Sequence, residues 1–308
     1  MTELTNSRLM VAEPHQSFGG DWTEIKLDML NNYLAAYVQA LKKHDFIKVY
    51  VDAFAGTGYR ETQAESDAPD LFAEQVEAEN AGFFDGSAKL ALQVDPPFDR
   101  YVFIEKSPAR MKELQSVKTD FHTIADRIDF RQGDANECIP EFCRKTDWQK
   151  TRAVLFLDPF GMSVNWTTME VIARTKAIDL WILFPAGIGV NRLLKQNPND
   201  ISGAWQSKLD IFFGTSEWRN VFYKSSHEKT LFGEEMVVSK VPNAISAISG
   251  FYQERLRTIF PKVVSNPRYL CNSKNSPMFL FTFAVSSLNE KAQKLALKIA
   301  EYILGKTG

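Results

Sequence analysis

The stretch KVYVDAFAGTGYRE, Lys48 to Glu61, constrains this chain more than any other. Three apolar residues, Val49 to Val51, run into Asp52, and two glycines follow in the spacing G-x-G, Gly56 and Gly58. A buried strand that ends in a charge and a glycine turn belongs at the carboxyl edge of an open parallel sheet. Ligands sit there, at the point where the strand order reverses. Glycine in such a turn lets the backbone come close to what is bound.

The rest of the chain supplies the sheet. Residues 22–43 read as a helix, with Leu27, Leu30, Leu34, Tyr37 and Leu41 as one apolar stripe. Short apolar runs at 47–54, 101–105, 128–133, 153–158 and 178–184 read as strands. Helices are expected at 86–94, after Ser107 (a cap with Pro108 in its first turn), and over 167–175. This alternation predicts a parallel sheet covered on both faces. The end reads as strand 262–271, turn NSKNSP, strand 278–286 and helix 288–304, so the last strand is expected antiparallel. Residues 59–85, with eight acids and one arginine, read as an inserted loop or short helix. Residues 187–241 read as a mostly helical insertion. Three parts follow: an N-terminal arm and helix over 1–44, a core over 45–186 and 242–308, and the insertion.

Each strand of the first four ends in an acid. The dinucleotide fingerprint G-x-G-x-x-G needs a third glycine where Glu61 stands, and a pyrophosphate prefers helix N–H groups to a carboxylate. Asp52 instead suits a cation, such as the sulfonium and ammonium of S-adenosylmethionine. Phe54, Ala55, Gly56 and Gly58 would form the turn around it. Glu105, ending the second strand, is placed to accept two ribose hydroxyls. Asp134, followed by Ala135 in QGDAN, is placed to accept from an adenine amino group. Asp158, Pro159 and Phe160, in LDPFG, would face the methyl donor. Each acid has a plainer reading too: Asp52 as a turn cap, Glu105 as a partner of Lys106 or Lys112, Asp134 as a helix N-cap, Asp158 as an ordinary strand-to-loop ending.

Composition narrows the chemistry. Cys138, Cys143 and Cys271 form neither a disulfide framework nor a metal-ligand spacing, and the four histidines do not cluster, so no metal is expected. Free thiols and the lack of an apolar signal segment predict a cytoplasmic protein. Residues 191–308 hold 16 Lys+Arg against 9 Asp+Glu, while residues 1–190 hold 20 against 29. The basic part suits contact with phosphate or scattered surface lysines, and the acidic part suits a protein or small-molecule substrate.

The order VDAFAGTG, Glu105, Asp134 and LDPFG resembles the class I S-adenosylmethionine-dependent methyltransferases over roughly 45–185 and 260–304. Their fold is a Rossmann-like α/β sheet, mostly parallel with an antiparallel last strand, here with a helical N-terminal segment and insertions. More narrowly, WTEIKLDMLNNYLAAY, YVDAFAGTG, FIEKS, FLDPFGM and PMFLFTFAVSS resemble the three-Cys-motif partner protein family. That resemblance implies a partner from a neighbouring gene, similar to radical-S-adenosylmethionine proteins, whose three cysteines are not those of this chain. It leaves the reaction open, and it draws attention to Lys26, otherwise a solvated helix lysine, as a substrate or cofactor contact. Amino-methyltransferases of bases often carry [DNS]-P-P-[YF]. The form DPFG here lacks one proline but is similar to the run in tRNA guanine-N2 dimethyltransferases. A base amine is therefore the expected methyl acceptor, and nucleic acid a possible partner. A methyltransferase fold that supports its neighbour without turnover is the alternative. A nicotinamide oxidoreductase fits poorly, because the glycine fingerprint is incomplete.

Overall fold

The computed structural model describes residues 21–56, 86–159, 161–230 and 233–306. The expected arm over 1–20, the acidic stretch 59–85, Gly58 and Phe160 lie outside them.

The described chain begins with α1 (Asp21–Ala40), β1 (Ile47–Asp52), α2 (Ser87–Leu92), β2 (Arg100–Glu105), α3 (Pro108–Gln115), α4 (Val117–Asp120) and β3 (Ile128–Gln132). Then come α5 (Ala135–Lys145), β4 (Thr151–Leu157), α6 (Trp166–Arg174) and β5 (Ile178–Phe184). Beyond a π turn at Ala186–Asn191 lie α7 (Gly203–Phe213), α8 (Trp218–Phe222), β6 (Tyr223–Thr230), β7 (Gly233–Lys240) and α9 (Ala244–Ile259). The chain closes with β8 (Lys262–Val263), β9 (Arg268–Cys271), β10 (Pro277–Val285) and α10 (Glu290–Leu304).

The main sheet runs β3-β2-β1-β4-β5-β10-β8, with β9 also paired to β10. Strands β1 to β5 are parallel to one another, and β10 lies antiparallel to β5. This is the expected Rossmann-like α/β architecture with a reversed last strand. The chain steps outward from β1 to β3, then returns to the other side of β1 with β4. The order therefore reverses between β1 and β4.

Parity along the strands divides the core in two. On one face Val49, Val51, Leu155 and Leu157 pack with α5, α6, α7 and α9. On the other, Tyr50, Phe103, Phe156 and Phe281 pack with α1, α2, α3 and α10. Alternate side chains of a strand point to opposite faces, so near-continuous apolar strands require cover on both sides.

Three expectations need correction. The buried stripe of α1 is Trp22, Lys26, Met29, Leu30, Tyr33, Leu34, Tyr37 and Val38, and Leu27 and Leu41 are only half-buried. The stripe is turned toward the sheet aromatics, where Tyr33 meets Trp181 and Phe283. The stretch 187–241 is helical only as far as Phe222; its remainder is the antiparallel β6–β7 ribbon. The strand expected over 262–271 is split into β8 and β9, because Pro267 has no N–H to give a ladder.

Candidate functional site

Strand parity decides what the carboxyl edge can do. Tyr50 and Phe156 point to the α1 face, so Asp52 and Asp158, each two residues on, point there as well. Phe103 does the same for Glu105. Helix α1 covers that face, and its buried Lys26 reaches Asp158, with Nζ 2.5 Å from Oδ2 and 5.0 Å from the Trp22 ring centre. Lys26 is therefore not a solvated lysine; it is 7% exposed.

The turn after β1 is tied to both neighbouring strands. Ala53 N–H donates to the Phe156 carbonyl and Ala55 N–H to the Ile104 carbonyl. Asp52 is fully buried. Its carboxylate accepts from the Phe54 N–H (3.1 Å), the Tyr50 hydroxyl (3.2 Å) and the Ser87 hydroxyl. Burial pushes its pKa up to about 6; the Ser87 and Phe54 hydrogen bonds oppose this, and the nearby Asp158 carboxylate adds to it. Asp52 thus does cap the turn, as the plainer reading had it. It also leaves a partly compensated negative charge at the carboxyl end of β1.

Gly56 and Glu105 fit each other closely. A Cβ on residue 56 would lie 2.0 Å from Glu105 Oε2, so only glycine leaves room for that carboxylate. The partners expected from the plainer reading, Lys106 and Lys112, are not those observed. Glu105 Oε1 accepts the Ser107 N–H at 2.6 Å and lies 4.0 Å from Arg110. Ser107 stands at the N-cap of α3, but its hydroxyl makes no capping bond. Lys106 goes instead to Asp134 Oδ2, at 3.1 Å.

Asp134 is the N-cap of α5. Its Oδ1 accepts the Asn136 N–H at 2.9 Å, and Ala135 is buried in the first turn. Partial burial raises its pKa, but the Asn136 N–H and Lys106 outweigh that and hold the carboxyl below its ordinary value. Asn136 joins the loop after β4 to this helix. Its Nδ2 donates to the Ser163 carbonyl, and its Oδ1 accepts from the Asn165 N–H and the Thr168 hydroxyl. Pro159 is buried, and Gly161 has φ +57, a left-handed turn that suits a residue without Cβ.

Asp52, Glu105, Asp134 and Asp158 therefore line the carboxyl ends of four adjacent strands, in the spatial order β3-β2-β1-β4. Sequence reasoning missed Tyr50, Ser87, Asn136 and Arg110. Tyr50 stands two residues before Asp52, a same-face signal available from spacing alone. Ser87 follows the long insertion, and nothing in its neighbourhood marked it.

No family model matches the chain, and no curated protein does. Solved structures similar to it include a Legionella pneumophila protein of the family model DUF519, 14% identical, TM-score 0.44, covering 93% of each chain. A spermidine synthase from Thermotoga maritima is 11% identical, TM-score 0.39, over 94% of this chain and 66% of that one. An O-methyltransferase from Bacillus cereus, solved in complex with SAH, is 11% identical, TM-score 0.38, over 89% and 93%.

Proposed function

We propose that this chain is an S-adenosylmethionine-dependent methyltransferase that modifies an amine of a nucleic-acid base. The observation that carries the reading is the Gly56–Glu105 cradle beside buried Asp52 at the strand-order reversal. The residues fit the cofactor. A glycine turn without Cβ gives close approach, Glu105 offers acceptor oxygens for ribose hydroxyls, and Asp134 offers one for an adenine amine. Asp52 supplies negative charge for a cation. When bound, S-adenosylmethionine supplies an electrophilic methyl group on a sulfonium.

The chain's own residues would do the rest. An exocyclic amine is a weak nucleophile because its lone pair is delocalised into the ring. Asp158 and a backbone carbonyl of the Asp158–Pro159 turn can accept its two N–H bonds and favour a pyramidal nitrogen. Lys26 holds the Asp158 carboxylate in place from α1. Asn136 holds the loop beyond it through Ser163 and Asn165. Positioning of this kind accounts for roughly 7–11 kcal/mol of barrier at most. Phe160 would add base stacking worth ~1–3 kcal/mol. A base within a duplex would have to be flipped out to reach Asp158.

The partner protein from a neighbouring gene belongs to the same proposal. The second reading, a methyltransferase-fold partner without turnover, draws on the Lys26–Asp158 pair, which already occupies the carboxylate a substrate would need. One experiment separates them: methyl-labelled S-adenosylmethionine is incubated with total nucleic acid and the protein, with and without the neighbouring-gene product. Label in nucleic acid is the expected result. Label in neither reaction, with cofactor binding intact by calorimetry, favours the second reading.

A further inference from the structure

Helix α10 carries two apolar lines, and the fold fully buries one and part of the other. Gln293, Ala296, Ala300, Ile303 and Leu304 are buried against the sheet and α1. A second line, Leu288, Ala292, Leu295, Ile299 and Tyr302, follows the spacing 4-3-4-3. That is the seam of a helix built to pack on another helix. Leu288, one residue before the cap Asn289, extends the line. Leu288 (59%), Leu295 (48%) and Tyr302 (67%) are exposed, while Ile299 between the last two is half-buried against the core. Single exposed apolar residues are ordinary, but Leu295 and Tyr302 stand one heptad apart on the helix, with Leu288 just beyond its N-terminal end.

We infer that this seam docks an amphipathic, acidic-flanked helix of another protein. The charge beside it selects the occupant. Around the helix, the seam lies between the buried face and a row of exposed lysines, Lys291, Lys298 and Lys294. Lys294 reaches Glu290 at 3.7 Å, whereas Lys291 and Lys298 have no ion pair among the described residues. A helix lying on the seam meets these ammonium groups along one flank, so carboxylates there complement it. A second copy of this chain does not. In an antiparallel pair the two lysine rows face each other, and in a parallel pair each row meets the partner's buried side. The inference is independent of any methyl transfer.

The test uses the full chain and two designed helical peptides, with leucines at the seam positions and either glutamates or lysines at all flanking ones. Binding is read by fluorescence anisotropy. The glutamate peptide is expected to bind at least tenfold more tightly than the lysine peptide, and to weaken as salt rises. Leu295→Asp is expected to cut that binding tenfold or more with an unchanged circular dichroism spectrum, since Leu295 is half exposed. Lys291→Glu with Lys298→Glu is expected to reverse the preference between the peptides. Equal binding of both peptides, or of neither, overturns the inference. So does a dimer in sedimentation that Leu295→Asp makes monomeric, which gives the seam to a second copy. Seam-dependent binding to phosphatidylserine vesicles, in preference to the glutamate peptide, gives it to a membrane and overturns the inference as well.

Discussion

Asp52 and Asp179 are two acids of one sheet, each beside a tyrosine from the α1 face, and they differ in what balances them. Asp179 lies near the start of β5, and Tyr33 donates to it at 2.7 Å. Burial pushes its pKa up to about 7, while the Tyr33 hydrogen bond and the Arg152 guanidinium pull it back. Asp52 ends β1 at the opposite edge. The groups acting on it most are hydroxyls, one backbone N–H and a second carboxylate, Asp158. One acid is matched by a cation of the fold. The other has no cation among the groups that act on it most, which is what the proposed site for a positively charged ligand would require. A buried carboxylate is thus informative through its neighbours more than through its burial.

The contrast can be broken most severely at Asp158. Asp158→Asn is expected to lower methyl transfer by about a thousandfold, some 4 kcal/mol of barrier, while cofactor affinity stays within about threefold. It also strands the buried Lys26 ammonium, so the fold loses stability. The double variant Lys26→Met with Asp158→Asn should regain stability in a denaturant melt without regaining activity. Retained turnover in Asp158→Asn would remove that carboxylate from the reaction.

Next in size is Gly56→Ala. The new Cβ displaces the Glu105 carboxylate, and calorimetry is expected to show about a hundredfold loss of S-adenosylmethionine affinity, near 3 kcal/mol. An unchanged affinity would place the ligand elsewhere.

Asp52→Asn tests the electrostatics directly. The folded pKa, about 6, lies above the ordinary 3.8. The stability this group contributes is complete below pH 3.8 and is lost as pH rises through 6. Asn removes that loss, so the variant should be more stable than the parent at pH 8, by roughly 2–3 kcal/mol at most. The difference should vanish at pH 3.5. The same variant should bind the cationic cofactor about tenfold more weakly. In the parent, that affinity should fall as pH drops from 7.5 to 5.

The smallest effect sharpens the other side. Tyr33→Phe takes a hydrogen bond from Asp179 and should cost about 1–2 kcal/mol in urea unfolding. Cofactor affinity should not change, because Asp179 stands at the far edge of the sheet. A loss of affinity here would erase the distinction between the two acids.

Much of this was legible from residues alone. The strands β1 to β5 were readable because apolar runs bounded by acids and glycines have few other uses, and 178–184 matches β5 to the residue. The acids at four strand ends were readable because order along a parallel sheet maps onto position in space. Lys26 was not readable as a buried group from spacing: Leu27 looked like the core residue. The choice between them was made by Trp181, Phe279 and Phe283, far along the chain. The β6–β7 ribbon was missed because β6 is polar and the apolar residues of β7, Met236 to Val238, are consecutive, so neither strand shows the apolar alternation that marks a half-buried strand. Asn136 was missed because its bracing role depends on a loop 27 residues away.

Helix α1 precedes every other described element in the chain, yet part of what it packs on comes far later in the sequence. Trp22 meets Phe279 at 4.9 Å and Tyr33 meets Phe283 at 4.9 Å, both on β10. Until that strand is synthesised, the helix has only part of its seat, and Lys26 has no fixed place over Asp158. Contacts of such long separation form late. A growing chain, or one cut short before residue 277, would therefore carry all four strand-end carboxylates and still lack the full seat of α1 over them. Assembly of the four strand ends under α1 waits for β10.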